Sequence, residues 1–114
     1  MITPPSFPAA RPRRLRRDEF TRNLVREHRL SSHDLIYPVF VTEGTNARVA
    51  VPSMPGVERL SLDLLLPLAE ECVKLGIPVL ALFPVIEPSL KTPHGDEAFN
   101  PDGLVPRVVR ALKK

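Results

Sequence analysis

The segment LIYPVFV, Leu35–Val41, determines the fold class of this chain. It is almost continuously apolar and rich in β-branched and aromatic residues, which is typical of a strand buried on both faces of a parallel sheet. Pro38 lacks an N–H donor, so we expect a broken ladder hydrogen bond or a bulge there. A second segment of the same character, IPVLALFPV, occupies Ile77–Val85. The two segments predict two strands of one parallel sheet.

A rigid loop and a helix are predicted between these strands. In VPSMPGVERLS, Val51–Ser61, two prolines restrict the backbone, and Gly56 offers the positive φ of a type II turn. In the following SLDLLLPLAEECVKLG, Ser61 is the expected N-cap and Gly76 the expected C-terminal stop. Pro67 either kinks this helix or begins it after a separate turn. The predicted apolar face consists of Leu62, Leu65, Leu66, Ala69, Cys72 and Val73, with Glu70, Glu71 and Lys74 facing outward.

The order of strand, loop, helix and strand predicts a βαβ unit with a right-handed crossover. The rigid loop would then leave the carboxyl end of the first strand. Barrel and doubly wound enzymes place their active sites at that edge. We therefore expect the loop to form one wall of a pocket.

Two further helices flank this unit in the sequence. RDEFTRNLVREHRL, residues 17–30, predicts a short amphipathic helix with Phe20 and Leu24 on one face. Near the end of the chain, Asn100 and Pro101 are the expected N-cap and first residue of a last helix. Its apolar positions are Leu104, Val105, Val108 and Leu112, and Pro106 is expected to disturb its first turns.

Basic residues concentrate in an N-terminal arm, residues 1–17. The chain has a net charge of +3, but the arm alone supplies +5, and residues 18–114 carry 11 basic and 13 acidic residues, or −2. Several prolines favour an extended path for this arm. No aromatic residues are interleaved with its arginines, so we do not expect nucleic-acid binding. Docking on another subunit, or a loose arm, is the favoured interpretation for Arg11, Arg13, Arg14, Arg16 and Arg17.

Length and composition set the class of protein. The 114 residues allow one domain at most, and their mixture of apolar and charged residues is globular. No apolar run is long enough to cross a membrane, and no apolar segment follows the arginines as in a signal peptide. Cys72 is the only cysteine, so we expect a reducing, cytoplasmic environment.

Two strands and three helices do not make a closed domain. The helices can cover one face of a two-stranded sheet, while the other face and both strand edges stay open. We therefore expect residues 18–114 to be a partial domain, incomplete at its C-terminus, of a larger fold.

Residues that could carry chemistry are few. A lysine that forms a Schiff base needs a desolvated pocket, yet Lys74 is predicted on a polar helix face and Lys91 in a loop, while Lys113 and Lys114 end the chain. We expect no catalytic lysine among them.

Metal ligands are not expected either. The side chains of His28, His33, His94 and Cys72 have no metal-ligand spacing, and Cys72 is predicted to be a small core residue. His94, Asp96 and Glu97 could bind a cation, but a solvated loop is the favoured interpretation.

From about Leu15 to its end, the chain resembles the N-terminal part of the porphobilinogen synthase family, also called delta-aminolevulinic acid dehydratase. The most specific feature is DLIYPVFV followed at this spacing by SMPGVERLS. The matching segments are RLRRDEFTRNLVREHRLSSHDLIYPVFVTEG, VPSMPGVERLSLDLLLPLAEECVKLGIP, LALFPVI and AFNPDGLVPRVVRALKK.

This resemblance implies a fold and an activity. The fold is a (β/α)₈ TIM barrel, of which the chain would contain the first two βα units, preceded by an extended arm and a short helix. The family arm wraps a neighbouring subunit, commonly in a homo-octamer. The family enzyme is a hydro-lyase that condenses two molecules of 5-aminolevulinate into porphobilinogen for tetrapyrrole and haem synthesis. It uses two lysines, one or both as Schiff bases, and usually Zn²⁺ or Mg²⁺.

The family's metal-binding segment, substrate arginines and both lysines come after the position of Lys114. The resemblance therefore implies an inactive N-terminal third. Phe83 would line the apolar wall of the substrate pocket, with core packing as the alternative, and Ser53 and Met54 would shape the same rim. The alternative function is a non-catalytic structural or regulatory piece that associates with the full-length enzyme through the arm. A nucleic-acid binder, which the arm does not favour, would require steeply salt-dependent affinity.

Overall fold

The computed structural model describes residues 2–114, which divide into two compact units, one ending at Leu30 and one covering Ser31–Lys114. In the first unit, a single 3₁₀ turn at Arg14–Arg16 precedes helix α1, Glu19–Leu24. The predicted helix over residues 17–30 is therefore too long. Phe20 and Leu24 are largely exposed, so no buried apolar face sustains the helix beyond six residues.

The second unit contains a four-stranded mixed sheet. Its strands are β1 (Ile36–Val41), β2 (Arg48–Ala50), β3 (Glu58–Leu60) and β4 (Val79–Pro84), in the order β2-β3-β1-β4. β1 is parallel to both β3 and β4, and β2 is antiparallel to β3. Helix α2, Leu62–Lys74, lies between β3 and β4 in sequence, and α3, Leu104–Leu112, follows β4. The predicted parallel neighbours, β1 and β4, are confirmed.

Pro38 lies in β1 without a bulge, contrary to the prediction. The register between β1 and β4 is continuous from Ile36 to Val41. The N–H of Val85 donates to the carbonyl of Val41 (2.7 Å), so Val41 faces β4, and by alternation Pro38 faces the other way. On that side β3 pairs only with Phe40 and Val41. The missing N–H of proline therefore removes no ladder bond.

The rigid loop is the tip of a β-hairpin. Residues 51–57 connect β2 to β3, and the N–H of Val57 donates to the carbonyl of Met54 (3.0 Å) across Pro55 and Gly56. Gly56 has φ of 82°, which confirms the positive φ predicted for a type II turn. The loop therefore does not run directly from β1 to the helix, because the hairpin intervenes.

Helix α2 is continuous through Pro67, and Ser61 is its N-cap residue. Leu65 and Cys72 are buried, but Leu66 and Val73 are exposed, so the predicted apolar face is narrower than expected. Its C-terminus is a Schellman motif: the N–H of Ile77 donates to the carbonyl of Cys72 (2.9 Å). Gly76, with φ of 78°, is the predicted stop.

Helix α3 begins three residues later than predicted. Its N-cap is Gly103, whereas Asn100 and Pro101 belong to the preceding turn, which the N–H of Gly103 closes on the carbonyl of Asn100 (3.1 Å). Pro106 is the third helical residue. N–H groups in the first turn have no partner within the helix, so proline is tolerated there.

One face of the sheet is packed. Its buried cluster joins β1 to both helices. Separately, no helix among the described residues is long and apolar enough to cross a membrane. The buried cluster comprises Val39, Val41, Leu65, Leu104 and Val108, surrounded by Leu62, Leu68, Leu82 and Leu112.

Candidate functional site

The other face of the sheet is an apolar surface that the helices do not cover. Val39 and Val41 point into the core, so the alternate residues of β1 point to the opposite face. The register places three apolar pairs on this open face: Ile36 beside Val79, Pro38 beside Ala81, and Phe40 beside Phe83. Ile36 is 64% exposed and Val79 is 46% exposed.

Phe83 lies at the carboxyl end of this open face. Its ring centroid is 5.7 Å from that of Phe40, with the two planes tilted by 38°. Such a tilted aromatic pair is favourable beyond the area it buries. Phe83 is nevertheless 50% exposed, so it is not packed in the core of the described residues. Its role as a wall of a substrate pocket remains a prediction.

Sequence reasoning missed a set of polar contacts at the same edge of the sheet. The residues after β1 are attached to both helices. Arg107 of α3 donates a hydrogen bond to the carboxylate of Glu43 and forms an ion pair with it. At the start of α2, the hydroxyl of Ser61 accepts a hydrogen bond from the N–H of Ala47 (2.9 Å). No short motif in the sequence could have paired residues 64 positions apart.

Asp63 completes this arrangement. The Ser61 hydroxyl donates to one carboxylate oxygen (2.5 Å), and the N–H of Asn46 donates to the other (2.8 Å). These bonds, the Ser61 bond first, hold the pKa of Asp63 below its ordinary value. Ser61 itself is fully buried and has both hydrogen-bonding functions satisfied. The chain after β1 is thus fixed in position by charge-assisted bonds.

The structure does not bring Ser53 and Met54 together with Phe83. These two residues lie in the hairpin loop, and β3 and β4 flank β1 on opposite sides. Because β3 runs parallel to β1 and pairs Arg59 with Phe40, the residues just before β3 lie alongside the middle of β1. Gly56 and Val57, just before β3, border a cavity of about 360 Å³. Its lining residues are Tyr37, Pro38, Val39, Phe40, Arg48, Gly56, Val57, Glu58, Leu60, Leu64, Pro67, Leu68 and Glu71.

A second cavity, of about 500 Å³, lies between the end of β4, the loop after it and the start of α3. Most of its lining is apolar, with Ile86, Leu90 and Ala98 from the loop. Lys91 and Glu97 also border it. The sequence did not predict this cavity, because it forms only when the loop returns to α3.

The lysines and the cysteine singled out in the sequence lie in different parts of the second unit. Lys74 pairs with Glu70 (3.0 Å) on the outside of α2, and Lys91 lies in the loop after β4. Cys72 is buried, which confirms its core assignment, and burial raises the pKa of its thiol.

The loop cluster of His94, Asp96 and Glu97 does not converge on a cation site. The Asp96 carboxylate accepts the Thr92 hydroxyl (2.8 Å), and Glu97 accepts the Asn100 amide (3.3 Å). Within residues 2–114, no group of three or more potential metal ligands comes together. These side chains therefore do not fit a bound metal ion.

The arm carries its arginines on the surface. Arg17 approaches Asp18 (3.8 Å), and the guanidinium of Arg11 lies 5.3 Å from the ring centre of Phe7. All five predicted arm arginines are exposed.

Comparison with known proteins gives a consistent result. A family model described as delta-aminolevulinic acid dehydratase matches residues 9–114. A delta-aminolevulinic acid dehydratase of Bradyrhizobium diazoefficiens is 52% identical over 106 residues, covering 93% of this chain and 30% of the relative. One from Halalkalibacterium halodurans is 47% identical over 104 residues, covering 91% of this chain and 31% of the relative.

Among solved structures, delta-aminolevulinic acid dehydratase (porphobilinogen synthase) of Toxoplasma gondii, in complex with the reaction product porphobilinogen, superposes with a TM-score of 0.83. It is 44% identical, and the match covers 91% of this chain and 29% of that chain. The chain thus spans about a third of the length of the relatives it matches.

Proposed function

This chain belongs to the delta-aminolevulinic acid dehydratase family, and from that premise we propose that it is the N-terminal third of a porphobilinogen synthase. The complete enzyme condenses two molecules of 5-aminolevulinate into porphobilinogen, for tetrapyrrole and haem synthesis. The observation that carries this proposal is the family match over residues 9–114, accompanied by the same backbone fold as a solved relative.

The proposed complete fold is a (β/α)₈ barrel in which β1 and β4 are the first two barrel strands. Three features support this. β1 and β4 are parallel neighbours joined through a helix, their open face is apolar, and the outer edge of β4 is unpaired in the described sheet. A further parallel strand beside β4 would satisfy that edge and continue the open face.

The proposed role of this chain in catalysis is to supply an apolar wall. Phe40 and Phe83 lie on the open face at the carboxyl end of the strands, where barrel enzymes bind their substrates. Their rings would exclude water and pack against the carbon skeleton of 5-aminolevulinate. Glu43 and Asp63, through their bonds to Arg107 and Asn46, hold the adjoining segment in position.

The reacting groups are proposed to lie in the remainder of the enzyme. No lysine lies on any of the four strands, and the described residues do not fit the Zn²⁺ or Mg²⁺ that the family resemblance implies. The ligands of that metal are proposed to lie outside this chain. The isolated 114 residues are therefore proposed to be inactive.

We also propose that the complete enzyme is a cytoplasmic homo-oligomer, octameric as the family resemblance implies. The exposed arginine arm is the proposed subunit contact, because its charge is opposite to that of residues 18–114.

A segment exchange tests the function. Residues 9–114 replace the matching segment of the Bradyrhizobium diazoefficiens relative, which is 52% identical. The hybrid is expected to form porphobilinogen from 5-aminolevulinate at a rate within about tenfold of the parent, because protein cores tolerate volume-preserving apolar substitutions. The isolated chain should form none. A folded hybrid of parental oligomeric size without activity would contradict the proposal.

A further inference from the structure

The segment that follows β1, residues 42–47, is fastened at its far end to the start of α2. The N–H of Asn46 donates to the carboxylate of Asp63 (2.8 Å), and the N–H of Ala47 donates to the hydroxyl of Ser61 (2.9 Å). Asn46 has φ of 52°, a sparsely populated conformation for a residue with a side chain. These two bonds therefore hold the far end of the segment in a conformation that the free chain disfavours.

The near end of the segment depends on Arg107. The carboxylate of Glu43 accepts a hydrogen bond from a terminal nitrogen of the Arg107 guanidinium. The Nε of the same guanidinium donates to the carbonyls of Asp102 (3.0 Å) and Gly103 (3.3 Å), in the turn that precedes α3. The planar group is thus oriented by the start of its own helix while it binds Glu43. A lysine could not make both sets of contacts, because its ammonium is a single nitrogen at the end of a flexible chain.

The place of this ion pair is more informative than its strength. The side chains of Arg107 and Glu43 are 45% and 57% exposed, and exposed ion pairs contribute little to stability. Glu43 comes shortly after Phe40, whose ring pairs with that of Phe83 on the open face of the sheet. An anchor this close to the end of β1 restricts where the Phe40 ring can lie.

On the basis of the proposed function, we propose that Arg107 is a positioning residue for the condensation of 5-aminolevulinate. Through Glu43 it fixes the carboxyl end of β1 and thereby holds the ring of Phe40 in the apolar wall of the substrate pocket. Arg107 itself, on the helix side of the sheet, touches no reacting atom. A displacement of about 1 Å in a group that positions the substrate can cost up to about a hundredfold in rate.

The hybrid enzyme tests this role with Arg107→Lys, Phe40→Ala and both substitutions together. Arg107→Lys keeps the charge but loses the oriented guanidinium, and it should lower kcat/KM for 5-aminolevulinate roughly tenfold. In the Phe40→Ala background the same substitution should lower kcat/KM by less than about twofold, because the ring that Arg107 positions is gone. The midpoint of thermal unfolding should shift by less than about 2 °C in Arg107→Lys, since the pair is exposed.

Hydrogen exchange of the same hybrids shows whether Arg107 holds the segment, whatever the rate of turnover. The amides of Thr42, Asn46 and Ala47 all donate hydrogen bonds. Arg107→Lys should raise their exchange rates roughly threefold or more, because the segment opens more often once its near end is released. The amide of Ile77, bonded at the end of α2, should exchange at an unchanged rate.

The ion pair between Glu70 and Lys74 on the outside of α2 provides the matched control. The hybrid with Glu70→Lys and Lys74→Glu keeps the net charge and should have the kinetics of the unsubstituted hybrid. In Arg107→Lys, unchanged kcat/KM, unchanged exchange rates, or equal kinetic losses with and without the Phe40 ring would each overturn the assignment. An unsubstituted hybrid that forms no porphobilinogen would contradict the proposed function alone, and the exchange rates would still decide whether Arg107 holds the segment.

Discussion

Gly76 closes α2 and also lets two parts of the second unit approach closely. Its φ of 78° is strained for any residue with a side chain. A Cβ atom built there would lie 3.0 Å from Cε1 of His33 and 3.1 Å from the hydroxyl of Ser32. The segment entering β1 thus packs directly against the turn that enters β4.

We predict that Gly76→Ala lowers the free energy of unfolding by about 1–3 kcal/mol, because backbone strain and the clash with His33 add. Urea-induced unfolding measures the loss. Gly95→Ala is the matched control, since Gly95 also has positive φ (67°) but has nothing within 4 Å of the added Cβ. Equal losses in the two variants would show that the His33 contact is unimportant.

Asp63 should make stability depend on pH. Its folded pKa is depressed by the Ser61 and Asn46 bonds, so the unfolded chain binds protons more readily. The contribution is complete above the unfolded pKa, about 3.9, and is lost as pH falls through the folded value. Asp63→Asn should therefore flatten the decline in unfolding free energy below about pH 4. The free energy of unfolding is measured against pH for the wild type, for Asp63→Asn and for the control Asp102→Asn. An Asp63→Asn variant whose unfolding free energy declines below about pH 4 as steeply as that of the wild type would argue against this role.

The positions of single residues could be predicted where a local backbone conformation or a cap requires a particular residue type. Gly56, Gly76 and Ser61 have the turn, stop and cap positions that their residue types favour. Asn100 was assigned wrongly, because its side chain instead accepts the N–H of Asp102 (3.0 Å) in the preceding turn. An asparagine suits a turn as well as a cap, and only the packing of α3 decides between them.

At the scale of elements, long apolar strands were predictable and the hairpin was not. β1 and β4 are strongly apolar, whereas β2 and β3 have three residues each and mix charged with apolar side chains. Such short strands have no measurable period. They form because β3 pairs with β1, and Arg48 and Glu58 pair across the hairpin (2.5 Å).

The two helix prolines give an element-scale prediction. Pro67 is the sixth residue of α2, where an N–H would donate to the carbonyl of Asp63. Pro67→Ala should therefore raise the free energy of unfolding by about 1–3 kcal/mol. Pro106→Ala is the control, because the third residue of α3 has no such acceptor within its helix. Thermal unfolding of both variants checks this, and a destabilised Pro67→Ala would contradict it.

At the scale of the whole molecule, the sequence indicated an incomplete sheet and the structure shows where it is open. One face is packed by α2 and α3, and the other presents Ile36, Val79 and Phe83 to solvent. The role of Phe83 as a wall of the substrate pocket could be proposed from its position at a strand end, together with the family resemblance. The bond between Arg107 and Glu43 could not, because only the assembled fold brings α3 beside the end of β1.

The most direct measurement of the proposed wall is steady-state kinetics of the hybrid enzyme with Phe83→Ala. Removing the ring should raise KM for 5-aminolevulinate roughly tenfold, which corresponds to about 1.4 kcal/mol of lost apolar contact. Val73→Ala is the control, because Val73 is 75% exposed on α2 and should leave the kinetics unchanged. A folded Phe83→Ala hybrid with the parental KM and kcat would contradict the account that the open sheet face lines the substrate pocket.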